Sequence, residues 1–186
     1  MLIDNFLPNY DVAERHAIVI DAPISHVYSA LRTTDFGRPL IVKALLAVRA
    51  LPSIFLGPHD IVQSDRSRKK ITFNTFVTNG FAVLSEEPEK EIVLGLVGRF
   101  WTPTGCLENT DAMRFVSERR PGLTKAAWGF VFESSNSTTR VTTETRVECT
   151  DTTSRRKFRV YWFFVRPFSG MLRRYMLKEL KRIAES

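Results

Sequence analysis

Two neighbouring segments near the end of the chain alternate with a period of two, and a long stretch with helical periodicity comes directly after them. In LTKAAWGFVFES, Ala126, Trp128, Phe130 and Phe132 fall on one face. In TTRVTTETRVEC, Arg140, Thr142, Glu144, Arg146 and Glu148 point one way, and Val141, Thr143, Thr145, Val147 and Cys149 point the other. The outer face of this second strand, with its alternating charges, reads as half-exposed. From Ser154 onward, Phe158, Tyr161, Trp162 and Val165 form an apolar stripe that Leu172, Met176, Leu180 and Ile183 continue. Asp151 to Ser154 supplies N-cap candidates for the helix, and Pro167 and Gly170 are expected to kink or interrupt it.

The rest of the chain fits an α+β domain. Residues 1–13 read as an irregular arm, and ERHAIVID as a first strand rich in β-branched residues. Ile24, Val27, Tyr28 and Leu31 then mark an amphipathic helix, with Pro23 at its start and Gly37 where it would stop. Residues 39–51 repeat the helical pattern. KKITFNTFV reads as a strand, and GFAVLSEEPEKEIVLGLVGRFW as a hairpin turning at Glu87–Lys90. MRFVSERR reads as one more strand before the two alternating ones. With no repeat, low-complexity tract or Gly/Ser linker, the 186 residues are expected to form a single domain.

Charge and composition exclude several classes. Ten Lys or Arg and two acids lie between Ser154 and Ser186, a contribution of +8 to a total of +7, so the basicity belongs to the terminal helix. The start of the chain lacks the pattern of a secretory signal. The most apolar stretch, residues 39–57, is broken by Lys43, Arg49 and Pro52 and does not read as a membrane span. A cytoplasmic protein is expected, with Cys106 and Cys149 reduced. His16, His26, His59 and the two cysteines never reach ligand spacing, so no metal is expected.

Three motifs carry a family resemblance. They are A-P-x-x-x-V-Y (Ala22, Pro23, Val27, Tyr28), G-F-x-x-L-x-E-x-P-x-x-E-I-V-L-G-x-x-G-x-x-W through the hairpin, and Y-W-x-x-V-R-P-F-S-G-x-L-R from Tyr161 to Arg173. Over roughly residues 14–184 the chain resembles the START-like or birch-allergen-like superfamily (SRPBCC, polyketide cyclase-like), in a bacterial branch mostly without assigned function. The resemblance implies a helix-grip fold: a curved seven-stranded antiparallel sheet around the long C-terminal helix, two short helices after the first strand, and a cavity between sheet and helix. The superfamily includes carriers, aromatases and cyclases, and iron-dependent oxygenase domains, so it leaves activity open. The oxygenase role would need an iron–sulphur domain that is missing here, and no cofactor is expected.

The expected ligand-binding cavity is lined by Trp128, Phe130, Phe132, Thr143 and Thr145 from the last strands, and by Phe158, Tyr161, Trp162 and Val165 from the helix. The same aromatics read equally well as a solid core. The inward threonines favour a lined cavity. Arg99 and Trp101 end the hairpin and could hold a carboxylate or phenolate at the rim, or form a plain surface pair. Gly95 and Gly98 indicate a bulge or a close backbone approach.

No catalytic motif is present. The expected function is binding of a small hydrophobic ligand, a lipid or polyketide-like molecule; the alternative is a cofactor-free cyclase, aromatase or dehydratase. The basic helix with its aromatics also permits a nucleic-acid reading, which the commoner role of charge runs as solvated faces argues against. The apolar stretch at residues 39–57 could make transient contact with an anionic membrane surface, and reads equally well as a helix buried by the sheet or by a second subunit. Oligomeric state is left open.

Overall fold

The structure is a computed structural model that describes residues 1–36, 72–78, 80–102 and 104–186. The expected helix at 39–51, the apolar stretch at 39–57, Gly37 and His59 therefore lie outside the described residues. Among those described, the order is α1 (Ile3–Phe6), β1 (Val12–Ile20), α2 (Ile24–Thr33), α3 (Phe73–Thr78), β2 (Ala82–Glu87), β3 (Glu91–Gly98), α4 (Ala112–Ser117), β4 (Thr124–Ser135), β5 (Thr138–Cys149) and α5 (Thr152–Ala184). The strands form one antiparallel sheet in the order β1-β5-β4-β3-β2. It is an α+β architecture with five described strands rather than seven.

Two expected strands are helices instead. FNTFV belongs to α3, and MRFV to α4. Each anchors through apolar residues three apart: Phe73 with Phe76, and Ala112 with Phe115. That spacing serves a helical turn, and for α4 Asp111 decides the matter by accepting the Arg114 N–H as an N-cap. The helix expected at Ile24–Leu31 is present as α2.

Helix α5 runs its 33 residues through Pro167 and Gly170 without a break, so the expected interruption is absent. Asp151 caps it, accepting from Ser154 N at 2.9 Å and Ser154 Oγ at 2.6 Å, and it also takes the Gly122 N–H of the preceding loop. These bonds hold the Asp151 carboxyl well below the usual carboxylate range. Gly170 leaves room for the Glu14 carboxylate on β1, whose Oε1 would lie 2.5 Å from a Cβ there. The two hairpin glycines serve different contacts. Gly95 leaves room for the side chain of Leu84 at the β2 bulge, whereas Gly98 admits the backbone of Gly105.

Both faces of the sheet are covered. Helices α2 and α5 cover one face, where two apolar clusters form around Trp128, Phe130 and Phe132, and around Phe158, Tyr161 and Val165. On the opposite face Ile3, Leu7, Leu84, Val93, Val97, Phe115, Leu123 and Ala127 form a third cluster under α1 and α4. The first residues are thus no free arm. Glu91 accepts the Leu2 N–H at 2.8 Å, and Arg146 Nη1 donates to Asp4 Oδ1 and to Leu7 O at 2.7 and 3.1 Å. The middle of the outer face of β5 is correspondingly dry, with Thr142, Glu144 and Arg146 all buried, whereas Arg140 is exposed and Glu148 half-buried.

Truncating Ile3, which is fully buried, to alanine is expected to lower stability by about 2–5 kcal/mol in urea unfolding, where an undocked arm would give about 0.5 kcal/mol or less. The cysteines are free, Cys106 exposed and Cys149 buried with its thiol pushed up to about 12 by burial. A thiol reagent should therefore titrate one cysteine in the folded chain and both after unfolding.

Candidate functional site

Between the two apolar clusters on the α5 side of the sheet lies a polar waist. Along β1 the inward residues run Val12, Glu14, His16, Ile18, Ile20; along β5 they run Cys149, Val147, Thr145, Thr143, Val141. The ends of both rows are apolar and the middles polar. Register places Glu14 opposite Thr145, and Thr145 opposite Trp128, so the three form one row across β1, β5 and β4. His16, Thr143 and Phe130 form the next row.

Arg173 of α5 lies over the first row. Its Nε is 4.0 Å from Glu14 Oε2, and its guanidinium carbon is 5.2 Å from the centre of the Trp128 ring. Only 15% of the Arg173 side chain and 14% of the Glu14 side chain are exposed, so water solvates neither charge well. Burial pushes the Arg173 guanidinium below its ordinary value, and Glu14 offsets this only in part. Glu14 Oε1 is also 3.0 Å from His16 Nε2.

The polar groups here are incompletely satisfied. Arg173 Nε, Glu14 Oε2 and Thr145 Oγ1 are buried and find no hydrogen-bond partner among the described residues. A buried polar atom left without a partner costs about 1–3 kcal/mol, and more when charged. Cation–π attraction to Trp128, worth about 2 kcal/mol or more when desolvated, offsets part of this for Arg173. Thr143, by contrast, is fully engaged: Trp128 Nε1–H donates to its Oγ1 at 2.7 Å, and that hydroxyl donates to Gly129 O at 3.1 Å.

The space that the described residues enclose beside the waist is small. Leu31, Phe36, Trp128, Phe130, Thr143, Arg173, Met176, Leu177 and Leu180 surround a void of about 10 Å³, room for one water at most. An open cleft of about 560 Å³ reaches the same waist from the β1 edge, lined by Glu14, His16, Gly170, Arg15, Arg166, Pro167, Arg174 and Ala13. Three arginines therefore stand along the approach to Glu14 and His16. A second open cleft, of about 590 Å³ around Glu108, Arg114 and Arg120, lies at the other side of the sheet and away from the waist. There Arg120 pairs with both Glu108 and Glu118.

The residues expected to line one cavity divide between two places. Trp128, Phe130 and Phe132 pack with Val27, Leu31, Phe73, Met176, Leu177 and Leu180. Phe158, Tyr161, Val165 and the half-buried Trp162 pack with Phe100, Val147 and Cys149 at the far end. Trp162 stacks on Phe158 with ring centres 5.8 Å apart. Thr143 and Thr145 lie between, at the waist. Trp101 joins the far cluster, but Arg99 is exposed and does not enter the interior.

Glu14, His16 and Arg173 were not among the expected site residues. Their signal is positional: Glu14 and His16 take inward parity on β1, and Arg173 continues the buried spacing Val165, Ser169, Arg173, Met176, Leu180. Counting Arg173 with the outward cations of the basic helix hides it.

No family model and no curated protein matches the chain. Among solved structures it is similar to a hypothetical protein from Helicobacter pylori, at 14% identity over 97% of this chain and 93% of that one, with a TM-score of 0.41. A protein from Thermus thermophilus aligns at 14% identity over 93% and 97% with a TM-score of 0.36. An uncharacterised protein from Rhizobium leguminosarum aligns at 12% over 92% and 97%, with a TM-score of 0.31. Identities and scores this low assign no function.

The waist makes a double-mutant prediction. Arg173→Met alone leaves Glu14 buried without its cation and should cost about 1–3 kcal/mol in denaturant unfolding. Adding Glu14→Gln should recover that loss and bring stability to within about 1 kcal/mol of the parent, or above it.

Proposed function

We propose that the chain binds a small amphiphile whose anionic or hydrogen-bonding head meets Arg173 and whose apolar body lies against Trp128, Phe130, Met176 and Leu177. The observation that carries this reading is the guanidinium placed among apolar side chains with its buried Nε unpaired, beside an unpaired Thr145 hydroxyl. The cation–π contact and Glu14 leave the Arg173 Nε and the Thr145 hydroxyl without hydrogen bonds, whereas a carboxylate or phenolate would satisfy both groups in a charge-assisted bond. The helix-grip resemblance supports the same location between sheet and C-terminal helix, and a START-like ancestry for the domain.

The void of about 10 Å³ is too small for such a body, so binding must repack the interior. Met176 borders the void and is the side chain best suited to move, being unbranched and adaptable. The cleft at the β1 edge supplies the approach, and Arg15, Arg166 and Arg174 bias it toward anions.

A second reading rests on the Glu14–His16 pair, a carboxylate against an imidazole at 3.0 Å beside a buried cation. Such a set could move a proton on a bound ligand, as a cofactor-free cyclase, aromatase or dehydratase would require. A ligand recovered unchanged after prolonged incubation speaks for binding, and one recovered with altered mass speaks for chemistry.

Calorimetric titration with a medium-chain fatty carboxylate and with its methyl ester tests the proposal. The carboxylate should bind at least about tenfold more tightly than the ester to the Glu14→Gln protein, and the difference should vanish when Arg173→Met is added. Equal affinities for acid and ester in both proteins, or no binding of either, would sink the reading.

A further inference from the structure

The outward face of α5 carries an exposed apolar stripe that no other described element covers. Val160, Phe163, Phe164, Pro167 and Met171 follow the spacing i, i+3, i+4, i+7, i+11, which places them along one line over roughly 16 Å of helix. Phe163 is 75% exposed, Val160 61%, Met171 50% and Phe164 47%. The two phenylalanine rings pack edge to face with centres 5.3 Å apart, which makes them one apolar knob. The helix has a separate buried stripe through Phe158, Tyr161, Val165, Met176 and Leu180, so the exposed one is not needed to hold it on the sheet.

The charge around the stripe is of one sign. From Thr152 to Lys178 the helix has eight Lys or Arg and no Asp or Glu. Arg155 pairs with Asp11 and Arg173 turns inward. The other six, Arg156, Lys157, Arg159, Arg166, Arg174 and Lys178, are exposed, and none forms an ion pair among the described residues. Cations thus flank the apolar line at both ends and along one side.

We infer that this face of α5 docks on an anionic lipid surface, with Phe163, Phe164 and Met171 entering the interfacial layer and the six cations meeting lipid phosphates. Charge selects this occupant. A second copy of the chain would bring the same six cations to the contact with no acid to meet them. A nucleic acid would match the cations, but Val160, Pro167 and Met171 offer no ring for base stacking along the middle of the face. An apolar stripe rimmed by Lys and Arg is what an anionic bilayer surface accommodates. The inference does not depend on the ligand reading, and it places membrane contact on an element other than residues 39–57.

Co-sedimentation of the full chain with vesicles tests it, using phosphatidylcholine alone and phosphatidylcholine mixed with phosphatidylglycerol. The chain should sediment with the mixed vesicles and remain in solution with phosphatidylcholine alone, and raised salt should release it. Phe163→Ser with Phe164→Ser should weaken binding by about tenfold or more while leaving thermal unfolding unchanged, because both side chains are exposed. The inference is overturned if the parent ignores the mixed vesicles, or if the double variant sediments like the parent. It is equally overturned if the stripe proves to be a self-association surface, seen as a dimer in sedimentation velocity that the double variant disperses without any vesicle binding. Retardation of single-stranded DNA in place of vesicle binding would likewise reject the lipid surface.

Discussion

The central strands of this sheet have to be covered on both sides, and the covering of one side by a single long helix governs how the interior is arranged. β3, β4 and β5 carry buried residues on successive positions, and neither face of the middle strands meets water. On one side α1 and α4 seal the face, with Arg146 and Glu91 anchoring the chain's first residues. On the other, α5 has to reach from the cluster around Phe158 to the cluster around Leu180, crossing β1 and β5 between them. Gly170 lets it pass close over Glu14, and that closeness is what shuts Arg173 and Glu14 away from solvent together.

Much of this was legible in the sequence because period and apolarity agree over long stretches. The twelve-residue strands β4 and β5 and helix α5 all repeat their pattern several times, so tertiary context had little room to override it. Where a segment is short and offers few apolar anchors, as in FNTFV and MRFV, a strand and a single helical turn fit equally well, and in MRFV the Asp111 cap decided. The docking of residues 1–10 was not legible, because Ile3 and Leu7 look like isolated apolar residues until the face they cover is built. The charged residues of β5 misled for the same reason. Their alternation marks an outward face correctly but carries no information on whether another element lies over it.

The candidate site was legible in place but not in identity. The inward threonines of β5 lie in the rows of the waist, and the motif from Tyr161 to Arg173 ends on the buried cation. The aromatics named with them serve mainly as packing at the two ends. The polar groups Glu14, His16, Thr145 and Arg173 gather in the middle, and helix α5 presents opposite characters on its two sides. Its inner face holds one cation in a dry, incompletely bonded setting. Its outer face holds six cations in water around an apolar stripe. An anionic amphiphile suits the first, and a sheet of anionic amphiphiles suits the second.

Native mass spectrometry of the protein as purified, followed by denaturation and identification of any released molecule, tests the central claim most directly. The account predicts a stoichiometric extra mass released on unfolding, belonging to an apolar compound with an acidic or phenolic head, and absent when Arg173 is replaced by methionine. A bare mass for the parent, or an equal load of neutral compounds on parent and Arg173→Met protein, would contradict it and leave the interior as a filled core with a misplaced charge.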